Sequence, residues 1–252
     1  MQTDTKYYQL LPTLTNCFFI PPITTIIHSY YTHDGDEDRC NDIEGVSNDI
    51  YINDGLIEAC AEGHMAMVEK MIANGADNWN WGLQGACRGG HIAMVEKMIS
   101  FGADDWDYGL RGACEGGHMA FAEKMISNGA ADWNNGLWAA CREGQMDMVE
   151  KMIANGANWW NYGLQEACRG GHMAVIEKMI ACGANKWNWG LNRACEGGHM
   201  AAVEKMIACG ADNWNNGAYI ACSRDHIAVV EKMIACGATK ICCEKHRQLF
   251  NQ

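Results

Sequence analysis

An internal repeat of 27 residues is the strongest constraint on the fold of this 252-residue chain. A cysteine recurs at this spacing, and the sequence Glu-Lys-Met-Ile follows each cysteine at a fixed distance. The seven cysteines are Cys60, Cys87, Cys114, Cys141, Cys168, Cys195 and Cys222. Because such periodicity indicates one supersecondary unit per repeat, it takes precedence over local assignments. We assign residues 53–241 to seven copies, 1–52 to a non-repeat segment and 242–252 to a capping helix.

Each copy predicts two short helices, because its apolar residues have the i, i+3, i+4 spacing of an amphipathic helix. In the second copy they are Leu83, Ala86 and Cys87, then Ile92, Val95, Met98 and Ile99. Gly90 lies between the helices and Gly102 follows the second, where a positive φ ends a helix at little steric cost. The last copy has Asp225 instead of Gly, and Asp tolerates the left-handed region better than most residues.

A two-helix unit of this size cannot bury both apolar stripes by itself, so the copies are expected to stack into an all-α solenoid. The sequence Gly-Leu-x-x-Ala-Cys-x-x-Gly-His from Gly82 to His91, with Gly-Ala-Asp at 102–104, resembles the ankyrin repeat. This resemblance implies an ankyrin-like α-solenoid that binds proteins. The family's unit has about 33 residues, and the difference falls between Gly102 and Gly109, so truncated hairpin loops are expected.

The copies depart from the family's pattern in one further respect and share a second likeness. The Thr-Pro that opens the family's first helix is absent, and Gly82 and its equivalents stand there instead. The short, nearly identical copies, rich in Met-Ile and Trp-Asn, also look like the ankyrin arrays of large DNA viruses of amoebae. That likeness implies a viral protein engaged in host-virus interaction.

The net charge of −12 disfavours nucleic acid and anionic lipid as partners, since both require clustered Lys and Arg. Eight acidic residues against Arg39 concentrate much of this charge in residues 34–54. The longest apolar stretch, Cys17 to Ile27, contains Pro21-Pro22 and is shorter than the ~20 residues of a membrane span. The chain also lacks the basic start and unbroken apolar core of an export signal. We therefore expect an intracellular, cytoplasmic protein without membrane, nucleic-acid or small-molecule partners.

Fourteen Cys and nine His raise the possibility of a metal site. Every copy except the fourth, which has Gln145, contains Cys-x-x-x-His, as in Cys87 and His91. Two ligands per copy do not complete a zinc site, and stacked helices ~8–10 Å apart are too distant for disulfides. We predict buried thiols, turn-capping imidazoles and no cofactor. The same core interpretation applies to Cys182, Cys209 and Cys236, whereas Cys242-Cys243 is the candidate for reactive thiols.

The remaining invariant columns are assigned to the scaffold. The tryptophans are predicted to be core residues, because the terminal copies continue their column with Ile52 and Ile241. They are Trp79, Trp106, Trp133, Trp160, Trp187 and Trp214. The methionines of the Glu-Lys-Met-Ile sequence form a second predicted core column. The Glu-Lys pairs are expected on a solvated face, with weak ion pairs between copies.

Positions that differ between copies provide the candidate partner-binding residues. Two such columns follow the Trp-Asn loop and lie one turn into the first helix, which ankyrin-like stacks place on the concave face. Their candidate residues are Trp81, Tyr108, Arg111, Trp138, Tyr162, Gln165, Trp189, Asn192 and Tyr219. Tyr, Trp and Arg dominate interface hot spots, which favours a non-enzymatic interaction scaffold. The alternative that these positions merely tolerate variation stays open. No catalytic constellation stands out from the periodic background.

Residues 1–52 suggest two further functions. The stretch from Ile20 to Tyr31 resembles the opening of an F-box, which implies an adaptor that presents partners to a ubiquitin ligase. Alternatively, the segment belongs to a structural virion component that docks onto a neighbouring chain through its aromatic residues. These are Tyr7, Tyr8, Phe18 and Phe19.

Overall fold

The structure, a computed structural model, describes residues 48–240 and the side chains from residue 52 onward. This part contains fourteen helices and no strand, so the predicted all-α class is confirmed. Residues 1–47, which include the F-box-like and aromatic stretches, and the predicted capping helix lie outside it. The chain divides into two compact units, Met1–Asp104 and Asp105–Gln252.

The helices form successive pairs, one pair per sequence repeat. In the first unit they are α1 (Asn48–Ala61), α2 (Met65–Ala73), α3 (Trp79–Gly89) and α4 (Ile92–Ser100). In the second unit they are α5 (Trp106–Gly116), α6 (Met119–Ser127), α7 (Trp133–Glu143), α8 (Met146–Ala154), α9 (Trp160–Gly170), α10 (Met173–Ala181), α11 (Trp187–Gly197), α12 (Met200–Ala208), α13 (Trp214–Ser223) and α14 (Ile227–Ala235). Odd-numbered helices are the first of each pair and even-numbered helices the second. Helix α1 starts ahead of residue 53, where we placed the first copy.

The turn between the two helices of a pair has the predicted left-handed residue. Gly90 ends α3 with φ 75°, and Gly102 follows α4 with φ 107°. Asp225 has φ 57° and is the one non-glycine residue with positive φ among residues 48–240. A residue other than glycine is therefore tolerated at this turn when its backbone can adopt the left-handed region.

The core is built from Leu, Ala and Cys of the first helices and from Val and Met of the second. Leu164, Cys168 and Met179 are fully buried in this way. One prediction for the second helix is wrong, because Ile92 is 60% exposed, and Ile99 is only half-buried. The buried stripe of α4 centres on Met94, Val95 and Met98. At about 100° per residue, both isoleucines lie roughly a quarter-turn or more away from that centre.

The tryptophan column is half-buried and is not part of the core, contrary to the prediction. Each of these tryptophans is the first residue of a first helix, close to the loop that closes the same helix pair. Trp79 stacks on Phe101 with ring centroids 4.9 Å apart. Near Gly237, the ring of Trp214 lies within 3.9 Å of where a Cβ would be. The indoles therefore cover loops at the edge of the core, whereas Ile52 is buried.

One polar column connects the short loops of consecutive pairs. The Oδ1 of Asn161 accepts hydrogen bonds from the backbone N–H groups of Asn185, at 2.8 Å, and Lys186, at 2.9 Å. The same pair of bonds recurs from Asn53, Asp107, Asn134, Asn188 and Asn215. A single side-chain oxygen thus links consecutive loops, a role that the backbone pairing of hairpins would have in longer loops.

The two helix layers pack differently. Within each unit, first helices of consecutive pairs pack directly on one another, while second helices make few contacts among themselves. A Cβ on Gly197 would overlap the carbonyl oxygen of Arg169 in the preceding first helix, which shows how closely α9 and α11 approach. Close packing of first helices in the second unit presents their variable side chains as one surface.

Candidate functional site

Four of the nine candidate residues line one cavity in the second unit. The cavity has a volume of about 400 Å³ and spans three consecutive first helices, α9, α11 and α13. Its lining residues are Tyr162, Gln165, Trp189, Asn192, Arg193, Glu196 and Ile220. The sequence analysis missed the last three of these. On α11 the lining residues have the i, i+3, i+4, i+7 spacing of one helix face, and that spacing is the signal that would have found them.

Aromatic rings form a continuous row along one side of this cavity. The ring centroids of Trp159 and Tyr162 lie 5.4 Å apart, and those of Tyr162 and Trp189 lie 6.3 Å apart. The three side chains are 44%, 50% and 45% exposed, respectively. Exposed aromatic rings in contact over two repeats form an apolar strip that the fold itself does not bury.

Trp159 was not among the candidates, although the sequence contains a signal for it. It occupies the N-cap position of α9, where its side chain makes no capping hydrogen bond. At the same position Asn78, Asp105 and Asp132 accept a hydrogen bond from the first turn of their helices. Replacing a good N-cap residue by Trp forgoes helix stabilisation of about 1 kcal/mol. The exchange therefore favours a surface role for this indole.

Arginines converge on a single carboxylate at the other side of the cavity. Glu196, with its side chain 16% exposed, lies 2.7 Å from Arg193, 3.3 Å from Arg169 and 3.5 Å from Arg224. Each guanidinium has five N–H donors, whereas one carboxylate has about four acceptor sites. The cluster therefore retains excess positive charge and many hydrogen-bond donors.

Arg111 and Trp138, two further candidates, form a second group with residues of α5 and α7. The guanidinium groups of Arg111 and Arg142 both lie over the Trp138 ring, 5.2 Å and 5.1 Å from its centroid. Both arginines also contact Glu115, at 3.1 Å and 3.8 Å. The Glu115 side chain is only 3% exposed, so this ion-pair group is held against the protein. Cation-π contacts keep the two guanidinium planes stacked and oriented.

Three candidates remain. Tyr108 is half-buried in the first turn of α5, and Tyr219 is exposed on α13 next to Ile220. Trp81 is half-buried in the first unit, where its backbone N–H donates to Asn78 Oδ1 at 3.2 Å.

Three buried side-chain oxygens of the first helices accept no hydrogen bond within the described part of the chain. They are Oδ1 of Asn192, in the cavity lining, Oε2 of Glu115 on α5 and Oε2 of Glu166 on α9. The neighbouring Gln165 differs, because its amide donates to the Asn161 carbonyl at 3.3 Å. An acceptor without a donor is costly when buried, and Asn192 is the cavity-lining residue that has such an acceptor.

The first-helix cysteines are buried and free, as predicted. Burial raises the pKa of the Cys60 and Cys195 thiols from 9.0 to about 12. Burial is also the larger cause for Cys168, whose pKa rises to about 12 with a smaller contribution from Cys209. The prediction that Cys182, Cys209 and Cys236 are core residues is wrong: they are half-buried C-cap residues of second helices.

The histidines make a different contact from the one predicted. His172 lies at the start of α10 without capping it, and its Nε2 is 2.9 Å from the carbonyl oxygen of Arg142 in the preceding pair. His226 contacts the Glu196 carbonyl in the same way, at 3.0 Å. The imidazoles therefore link consecutive pairs. Within residues 48–240, no group of three or more His, Cys, Asp or Glu could hold a metal ion.

No protein-family model and no curated protein matches the chain. Among solved structures, the chain is similar to the crystal structure of the human ASB11 ankyrin repeat domain. Sequence identity is 24%, the TM-score is 0.47, and the match covers 62% of this chain and 84% of that one. In residues 48–240, no helix is both long and apolar enough to cross a membrane.

Proposed function

We propose that this chain is a non-enzymatic scaffold that binds a protein partner on the first-helix face of the second unit. By first-helix face we mean the exposed side of α5, α7, α9, α11 and α13. The observation that carries the proposal is the row of exposed aromatic rings, Trp159, Tyr162 and Trp189, beside the cavity. Such a row provides amphipathic contact area, which is typical of protein interfaces.

The arrangement favours a polypeptide over a small metabolite. The cavity extends over three helices that belong to three different repeats. A binding surface assembled from successive repeats suits an extended ligand that crosses them, whereas metabolite sites enclose most of their ligand. Both Trp159 and Trp189 contact the Tyr162 ring. Independent drift would not favour such contacts between exposed rings, which supports a binding role over tolerated variation.

Selection from a random-peptide phage library tests the proposal, with the full chain as bait. The double variant Tyr162→Ala with Trp189→Ala removes two rings of the row. We expect selected peptides to bind it at least ~30-fold more weakly, since a hot-spot residue contributes 2 kcal/mol or more. Ile92→Ala is the matched control, because it removes an exposed apolar side chain from a second helix. Circular dichroism verifies that both variants fold.

Two results would contradict the proposal: no enriched peptide, or peptides that bind the double variant and the chain itself equally well. The F-box-like adaptor and the virion component stay predictions of the sequence, because residues 1–47 lie outside the described part. So do the viral origin and the cytoplasmic location. Deletion of residues 1–33 tests the adaptor prediction by association with the ligase's adaptor subunit, and mass spectrometry of purified particles tests the virion prediction.

A further inference from the structure

Resting on the proposed function, we infer that the partner segment is an acidic, extended peptide with aromatic or aliphatic side chains. Its carboxylates meet the arginines of the first-helix face, and its apolar side chains cover the Trp159, Tyr162 and Trp189 rings. The inference identifies the chemistry of the ligand, which the aromatic row by itself does not.

The distribution of cationic side chains is the first argument. All six arginines of residues 48–240 lie on first helices or directly after one. They are Arg88, Arg111, Arg142, Arg169, Arg193 and Arg224. The lysines lie on second helices, apart from Lys186 and Lys240 in loops. Arginine recognises carboxylates in a planar, bidentate geometry, and lysine does not. The first-helix face therefore carries the side chains that bind carboxylates, although the net charge of the whole chain is −12.

Two glutamates of the first helices, Glu196 and Glu115, show that these arginines bind carboxylates. Glu196 is contacted by three arginines, and Glu115 by two. Arg169, Arg193 and Arg224 remain about 40% exposed in this arrangement. Their N–H groups can therefore donate hydrogen bonds to a further carboxylate from a partner. The Arg111 and Arg142 group has two arginines beside two glutamates, Glu115 and Glu143, the latter 2.8 Å from Arg142. The Glu196 group is therefore the one with unbalanced positive charge.

The repeat spacing gives the register of the peptide. Packed helices lie ~8–10 Å apart, and an extended peptide in the polyproline II conformation advances ~3.1 Å per residue with three residues per turn, so that every third side chain points to the same face. A peptide that crosses the first helices therefore advances by about three residues per repeat. Acidic side chains at every third position would meet the guanidinium groups of successive repeats, while a neighbouring position would meet the aromatic row.

Single-stranded nucleic acid is the competing ligand for an arginine and aromatic surface. The structure favours the peptide, because the same arginines lie beside carboxylates that would repel a continuous chain of phosphates. A peptide with a carboxylate at every third residue places fewer charges in the same length.

Fluorescence anisotropy with the full chain tests the inference. The probe is a labelled dodecapeptide of repeated Asp-Trp-Ala triplets, and the comparison probes are a Lys-Trp-Ala dodecapeptide and an oligothymidylate of equal length. We expect the acidic peptide alone to bind, and its affinity to fall about tenfold between about 50 mM and about 300 mM salt. Binding of the lysine peptide with similar affinity, or tighter binding of the oligothymidylate, would overturn the inference.

Two arginine substitutions locate the binding. The double variant Arg193→Gln with Arg224→Gln should bind the acidic peptide at least tenfold more weakly, because charge-assisted hydrogen bonds are lost. The matched control is Lys178→Gln with Lys205→Gln, which changes the net charge equally on second helices. Equal losses in both variants would mean that net charge alone attracts the peptide and would refute the site.

Glu196→Gln gives the sharpest test. This neutral substitution removes the carboxylate that three arginines share, so they should bind the acidic peptide about five- to tenfold more tightly. Unchanged or weaker binding would contradict the inference. If phage selection instead yields peptides that depend on Tyr162 and Trp189 but lack acidic residues, the inference fails and the proposed function stands.

Discussion

The two exposed faces of the second unit differ in whether the same residues recur from copy to copy. The second-helix face, the exposed side of α6, α8, α10, α12 and α14, has the same Lys–Glu ion pair between consecutive pairs, as in Lys178 with Glu150 at 3.0 Å. On the first-helix face, equivalent positions hold Gln165, Asn192 and Tyr219. One face therefore repeats a single weak interaction, and the other varies in chemistry from copy to copy.

This difference has a physical basis. First helices are so closely packed that Gly197 leaves no room for a methyl group. Their outward side chains are consequently brought near one another, and neighbouring copies can combine into one cavity. Second helices are more separated, so long Lys and Glu side chains are needed to reach across. Variation on the close-packed face creates composite sites, whereas variation on the other face would create isolated side chains.

The largest expected effect contrasts the cysteines of the two layers at alkaline pH. Burial raises the pKa of the Cys60, Cys114 and Cys195 thiols on first helices from 9.0 to about 12. A raised folded-state pKa means that the stabilisation is complete below pH ~9 and is lost as pH rises through ~12. The urea midpoint, followed by circular dichroism, should be constant from pH ~7 to ~8.5 and should fall steeply above pH ~9.

Site-resolved thiol labelling at pH ~8 provides the control for this contrast. Among the described cysteines, the half-buried Cys182, Cys209 and Cys236 should react first, while Cys60 to Cys222 of the first helices should react only after denaturation. Equal labelling rates in the two layers would contradict the assignment, and so would a midpoint that does not change up to pH ~12.

The next largest effect tests the difference in packing. Gly197→Ala should lower the free energy of unfolding by about 2 to 3 kcal/mol, because its Cβ overlaps the Arg169 carbonyl oxygen. Ala201→Leu adds a larger group to exposed α12 and should change stability by no more than ~0.5 kcal/mol. Chemical denaturation measures both. Similar losses in the two variants would show that the layers are equally tight.

A smaller effect concerns the loops between the layers. Asn161→Ala removes the acceptor of two backbone N–H groups and should cost ~1 kcal/mol, since water partly replaces it. Asn161→Asp should be nearly neutral, because Asp107 makes the same bonds in another copy. Asn185→Ala changes the same type of residue, in the loop that Asn161 contacts, but leaves these bonds intact. A loss equal to that of Asn161→Ala would rule out this role for Asn161.

The smallest effect is expected in the ion pairs of the second-helix face. A double-mutant cycle with Lys178→Gln and Glu150→Gln should give a coupling of at most ~0.5 kcal/mol, which salt removes. The same cycle with Arg111→Gln and Glu115→Gln should give at least ~1.5 kcal/mol, because the Glu115 carboxylate is buried. Equal couplings would mean that the two faces do not differ electrostatically.

Regular features of the copies could be predicted from sequence because each depends on local rules. The left-handed turn at Asp225 follows from backbone sterics, and the burial of Leu164 and Met179 follows from helical spacing. The ion pairs between copies follow from Glu and Lys residues that recur at the same position in each copy. Errors arose at the edges of the helices, where Ile92, Cys182 and the indole of Trp79 meet loops or solvent.

The sequence by itself determined the helix pairs, their turns and the two columns from which Tyr162, Gln165, Trp189 and Asn192 come. Only the tertiary structure decided that these residues share a cavity with Ile220, that Trp159 joins the aromatic row, and that one Glu196 carboxylate serves three arginines. The physical reason is that periodicity fixes which face of a helix points outward. The distance between successive first helices, which decides what lies within reach across repeats, depends on packing.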